Sequence, residues 1–164
     1  MIVIDACQFE HAPLFPTADG KSMGRAKPML SRWRLDLNEA EARVRFASIG
    51  GIEAEFPQCD PRVVGSRYRH GWYTSPDGGL KSSLAENENM YNTIGHYDHA
   101  TGREQRYSCG RASVSEAIFV PRAHEAPEGE GYLLTVATSF ETRTSSLYVF
   151  DAQRVADGPL AKAH

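Results

Sequence analysis

Almost no stretch of this chain places apolar residues at helical spacing, and that absence constrains the fold more than any other feature. The best helical candidate, Leu37-Asn38-Glu39-Ala40-Glu41-Ala42, lies between two strand-like segments and is too short to stand alone, so it reads as a turn. Strand signals recur instead. β-branched and aromatic residues alternate or cluster over Ile2–Phe9, Met29–Leu37, Ala42–Ile49, Tyr68–Tyr73, Met90–Tyr97, Glu104–Ser108, Ala117–Pro121, Tyr132–Thr138 and Ser146–Asp151. Turn residues separate them: Ala18-Asp19-Gly20, Gly50-Gly51, Pro76-Asp77-Gly78-Gly79, Thr101-Gly102, Glu128-Gly129-Glu130-Gly131 and Asp157-Gly158. The pattern predicts an all-β chain.

Composition narrows the class. An apolar fraction of 41% in 164 residues is enough for a packed domain and excludes a disordered chain. Eighteen basic residues against 21 acidic ones give a net charge of −3, too even for a nucleic-acid or anionic-membrane surface. No apolar run approaches the roughly 20 residues of a membrane span. The start Met1-Ile2-Val3-Ile4-Asp5 lacks the basic segment of a secretory signal. Cys7, Cys59 and Cys109 are scattered and odd in number, which predicts reduced thiols buried as small apolar groups and a cytoplasmic location.

One hairpin stands out. Ile94 to Asp98 runs into a tight turn closed by Gly102, and the next strand carries Gln105 and Tyr107. Tyr148-Val149-Phe150-Asp151-Ala152 repeats the strand-to-Asp phrase, and Arg34-Leu35-Asp36-Leu37 is a weaker copy. Such phrases at irregular spacing suit propeller blades, and a β-sandwich is the alternative. A strand beginning at the first residues, and another just starting at Ala161-Lys162-Ala163-His164, lead us to expect a piece of a longer chain.

The residues that could carry chemistry are few. His96 and His99 flank Asp98 at a spacing compatible with metal ligation, yet they fall on the predicted hairpin turn. His70, between Arg69 and Gly71-Trp72, reads as a core or pocket-wall histidine, and His11, His124 and His164 as solvated. Arg62, Arg67 and Arg69 read as a solvated or ion-paired face. No nucleophile elbow, P-loop or dinucleotide fingerprint is present. Two glutamates, Glu55 and Glu116, each lead directly into an apolar strand, a position at which glutamate is ordinarily exposed.

At these glutamates the chain resembles a known family. Glu55-Phe56-Pro57-Gln58-Cys59-Asp60-Pro61-Arg62 and Tyr68-Arg69-His70-Gly71-Trp72-Tyr73 are similar to motifs of the carotenoid oxygenases, in particular the bacterial lignostilbene and apocarotenoid cleavage enzymes. Asn92-Thr93-Ile94-Gly95-His96-Tyr97-Asp98, Glu116-Ala117-Ile118-Phe119-Val120-Pro121-Arg122, Gly129-Glu130-Gly131-Tyr132-Leu133-Leu134 and Val149-Phe150-Asp151-Ala152 continue the likeness in the family's order. So does the opening Val3-Ile4-Asp5-Ala6-Cys7.

The resemblance implies part of a seven-bladed β-propeller. It implies an enzyme that uses O₂ to cleave a conjugated C=C bond of a hydrophobic substrate into two carbonyl products. The family's Fe(II) is held by four histidines, three of which have a glutamate behind them. By motif position Glu55 and Glu116 match two of those glutamates, which would accept the outward Nδ1–H of ligating imidazoles. Phe15, in Leu14-Phe15-Pro16, matches a segment near the substrate tunnel and is the candidate pocket wall. None of the six histidines falls at a family ligand position. The expectation is therefore one fragment, residues 1–164, between the third and fourth iron-binding histidines. It would bind no metal alone and would have the remainder of its propeller as partner. A free-standing, non-catalytic β module that binds a partner or small ligand is the competing reading.

Overall fold

A computed structural model describes residues 1–12, 17–21, 26–38, 43–77 and 91–164. Among these residues the regular structure is β, with two single-turn 3₁₀ segments at Pro61–Val63 and Val155–Asp157. Strands β1 (Ile2–Gln8), β2 (Met29–Asp36) and β3 (Arg43–Glu53) form an antiparallel sheet in the order β1-β2-β3. A second sheet follows in chain order: β4 (Glu55–Cys59), β5 (His70–Ser75), β6 (Thr93–Asp98) and β7 (Arg103–Ser108). The third contains β8 (Ala112–Val114), β9 (Ile118–Pro121), β10 (Gly131–Ser139), β11 (Ser145–Asp151) and β12 (Pro159–Ala163). Its order is β12-β11-β10-β8, with β9 also pairing β10. Among the described residues no helix is long and apolar enough to cross a membrane.

The chain divides into two compact units, Met1–Glu55 and Phe56–His164. The second has a continuous core of Trp72, Ile94, Val114, Ala117, Phe119, Leu133, Ala137, Phe150, Ala152 and Val155. Alternation explains which residues enter it. Along β10 the side chains of Leu133, Thr135 and Ala137 are buried, while Val136 between them is exposed. The indole N–H of Trp72 donates to the Ala152 carbonyl at 2.7 Å, so the largest core side chain leaves no polar atom unpaired. In the first unit Leu30, Ile49, Ile52 and Ala54 are buried.

The hairpin turn forms as the residue types require. Gly102 takes a φ of 72°, and its N–H donates to the Asp98 carbonyl at 2.7 Å. The predicted turn at Gly50-Gly51 is corrected. Here β3 runs straight through both glycines, which take φ of 60° and 68°. The register against β2 jumps from Ser31↔Ser48 to Met29↔Glu53, so the glycines make a bulge inside a long strand. The strand expected over Tyr68–Tyr73 begins at His70, the apolar strand expected after Glu55 is β4, and β8 was unmarked by any period-2 pattern. The cysteines are free thiols, but all three are half-buried rather than fully buried. Residues 39–42 of the Leu37–Ala42 candidate, Gly78-Gly79 of one predicted turn, Met90 and Phe15 lie outside the described residues.

Candidate functional site: two strand-leading carboxylates

Glu55 opens β4 one residue after Ala54, which is fully buried and donates its N–H to the Pro28 carbonyl at 3.0 Å. The residue that follows, Phe56, has a φ of 53°, a left-handed conformation that a bulky side chain rarely adopts. The backbone therefore turns sharply beside the carboxylate. Glu55 is half-buried, and its charge reaches Cys7. Burial first, and then that negative charge, push the Cys7 thiol up to about 12. Cys7 consequently has no thiolate chemistry at neutral pH.

Glu116 sits in the short break between β8 and β9, both of which pair with β10. The break is knitted by Ser115. Its N–H donates to the Val136 carbonyl at 2.9 Å, and its Oγ accepts from the Val136 N–H at 3.0 Å. Thr135 Oγ1 donates to the Ser115 carbonyl at 2.9 Å. Ala117, 1% exposed, anchors the other side. Between these fixed points the Glu116 side chain is exposed, and the Gln58 amide donates to its Oε2 at 3.5 Å. Each glutamate is thus carried on well-fixed backbone, Glu55 in the first unit and Glu116 in the second.

His70 is buried, as expected of a core or pocket-wall histidine, and one histidine, His96, is placed differently from the expectation. His96 is not on the turn. It lies within β6, 3% exposed, opposite Trp72 on β5 and Gln105 on β7. His70 and His96 form a pair, Nδ1 to Nε2, at 3.0 Å. His99 is the true turn residue, its N–H donating to the Arg69 carbonyl at 2.8 Å. Among the described residues no group of three or more histidine, cysteine, aspartate or glutamate side chains could hold a metal ion. These residues do not fit a four-histidine iron centre. Of the three arginines read from the sequence as a solvated or ion-paired face, Arg62 pairs with Asp60 at 2.6 Å and Arg69 with Asp98 at 2.6 Å, while Arg67 is exposed. Arg62 also donates to the carbonyls of His124 at 2.8 Å and Ala126 at 3.0 Å, clipping the loop after β9. This clip by Arg62, and the complete burial of Asp60 beneath it, carried no recognisable sequence signal.

Comparison with known proteins adds the whole-chain context. The retinal pigment epithelial membrane protein family matches over residues 1–164. Lignostilbene-alpha,beta-dioxygenase isozyme III of Sphingomonas paucimobilis is 37% identical over 158 residues, covering 92% of this chain and 32% of that protein. Isoeugenol monooxygenase of Pseudomonas nitroreducens is 32% identical over 166 residues, covering 98% of this chain and 35% of that protein. The chain thus spans about a third of the length of these relatives. The crystal structure of Pseudomonas brassicacearum lignostilbene dioxygenase superposes with a TM-score of 0.83 at 25% identity, over 100% of this chain and 39% of that one. The family match runs the length of the chain and agrees with its all-β architecture: this chain belongs to the retinal pigment epithelial membrane protein family, the carotenoid oxygenases.

Proposed function

We propose that this chain is part of a non-haem iron dioxygenase that cleaves a conjugated C=C bond of a stilbene or apocarotenoid into two carbonyl products. The observation that carries the reading is the match to a lignostilbene dioxygenase, 37% identical over 158 residues and covering 92% of this chain. In this reading the three sheets are consecutive blades of a seven-bladed propeller, and the rest of that propeller is the partner. The third sheet supports this. Ile118, Val120, Val136 and Leu147 leave an apolar second face exposed on β9 to β11, the pattern of a sheet covered on both sides. The iron, which supplies the O₂ chemistry, is held by histidines outside this chain.

The chain's own contribution is positional. Glu55 and Glu116 accept the Nδ1–H of two different ligand imidazoles, which sets the tautomer and raises ligand basicity. Each needs a rigid strand start, and the buried Ala54 and Ala117 beside them provide one. Phe15 forms part of the wall for a planar conjugated substrate.

The test uses the complete enzyme. Purified with Fe(II) under air, it is expected to release aldehydes from a stilbene or an apocarotenoid substrate. Glu55→Gln and Glu116→Gln should each lower iron occupancy or turnover about 10–100-fold. Full iron occupancy and turnover in both variants would remove the glutamates from the reading. Absence of aldehyde from either substrate class would remove the activity.

A further inference from the structure

The second unit contains a buried polar cluster that the proposed reaction does not use. At its centre are His70 and His96, 6% and 3% exposed. Their hydrogen-bond network sets both tautomers. The Gln105 amide nitrogen donates to the Gln153 carbonyl at 2.8 Å, which orients that amide. The same nitrogen lies 3.5 Å from His96 Nδ1, so His96 Nδ1 is the acceptor there. The His96 proton is then on Nε2, donating to His70 Nδ1 at 3.0 Å, and the His70 proton is on its own Nε2. Both rings are neutral in this arrangement.

The pair also holds a loop. The residues joining β9 to β10 pack onto the His70 ring so closely that a Cβ on Gly129 would lie 2.6 Å from it. Glu128 on the same loop accepts from the N–H of Arg69 at 2.6 Å and of His70 at 2.9 Å. Gln153 donates to the Glu128 carbonyl at 3.4 Å. On the other side the rings stack on Trp72, which stacks on Phe119 of β9 at 4.7 Å.

We propose that His70 and His96 form an acid-sensitive latch that holds the β9–β10 loop onto the β5–β6 hairpin and opens when either ring takes up a proton. A proton on His70 Nδ1 would face the His96 Nε2–H, and one on His96 Nδ1 would face the Gln105 amide hydrogens. The loop leaves no room for a ring to swing away while Gly129 is in place.

The surroundings decide the direction. Burial lowers both histidines, His96 to about 4. Glu128 and Asp98 face the pair and favour the charged form, whereas Arg69 and His99 oppose it. With an unfolded value near 6.5, the latch is fully present above about pH 6.5 and is lost as the pH falls towards 4.

The experiment is imidazole ¹⁵N NMR on this chain, with amide exchange followed from pH 7.5 to 4. At pH 7 both rings should be neutral, each with its proton on Nε2. Protection of the Arg69 and His70 amides should fall by about tenfold per pH unit per proton in the acid range, while core amides of β10 and β11 stay protected. The double variant His70→Gln/His96→Gln keeps amide groups at both positions but cannot titrate at either, and should flatten this acid dependence. A proton on His70 Nδ1 at pH 7 would overturn the latch, whether or not the variant folds. So would an unchanged acid dependence in the double variant, which would assign the effect to a group outside the histidine pair.

Discussion

Asp98 does more work than any other single side chain in the hairpin. Its carboxylate accepts from Arg69 Nε at 2.9 Å and Arg69 Nη2 at 2.6 Å, and from the Ala100 N–H at 2.9 Å. The Arg69 bonds hold its carboxyl well below the usual carboxylate range, against an opposing effect of burial. A depressed folded value stabilises above the unfolded value near 3.9 and is lost as the pH falls below it. Asp98→Asn should therefore lower stability at pH 7 by about 1 kcal/mol, the half-exposed Arg69 discounting the ion pair itself. In urea titrations the gap to the parent should close below about pH 4. A gap constant from pH 7 to pH 3 would show that the charge is not the source. At this scale the sequence was legible where a residue's partners are local. Asp98 and Gly102 were readable as a turn because both act on backbone within four residues. His96 was misread because its partners, His70 and Trp72, lie more than twenty residues away.

Strand pairing constrains residues that look replaceable. Gly95 on β6 stands opposite Tyr73 on β5, and a Cβ there would lie 2.2 Å from the Tyr73 ring. Tyr73 cannot yield easily: it is 1% exposed and donates to Glu104 Oε1 at 2.5 Å. Gly95→Ala should cost roughly 1–3 kcal/mol in urea unfolding at pH 7, the usual range for overpacking a filled core. A change within about 0.5 kcal/mol would mean that the β5–β6 pair adapts. The same glycine shows what alternation conceals. Period-2 patterning marked most strands, since it follows directly from side chains pointing to opposite faces. It did not distinguish a glycine that ends a strand from one that lets it continue. Gly50-Gly51 has the composition of a turn, and only the pairing of β3 with β2 on both sides makes it a bulge. The short β8 is a strand because β10 pairs with it, and its three residues carry no period.

At the scale of the whole chain, burial is uneven between the two units. Every member of the continuous core cluster, from Trp72 to Val155, lies within Phe56–His164. Residues 56–164 expressed alone should thus unfold cooperatively and keep the near-UV signal of Trp72, the one tryptophan in that unit. A non-cooperative transition or loss of that signal would show that the core needs the first unit. The all-β class, most strand positions, the hairpin and the family were determined by the sequence alone. Each is written in local periodicity, turn chemistry or short ordered motifs. Tertiary structure decided which polar residues are buried and paired. His70 against His96 and Glu128 on the His70 N–H join residues 26 and 58 positions apart. No local pattern encodes such pairs, because a polar side chain is stable in the interior only once the fold has delivered its partner.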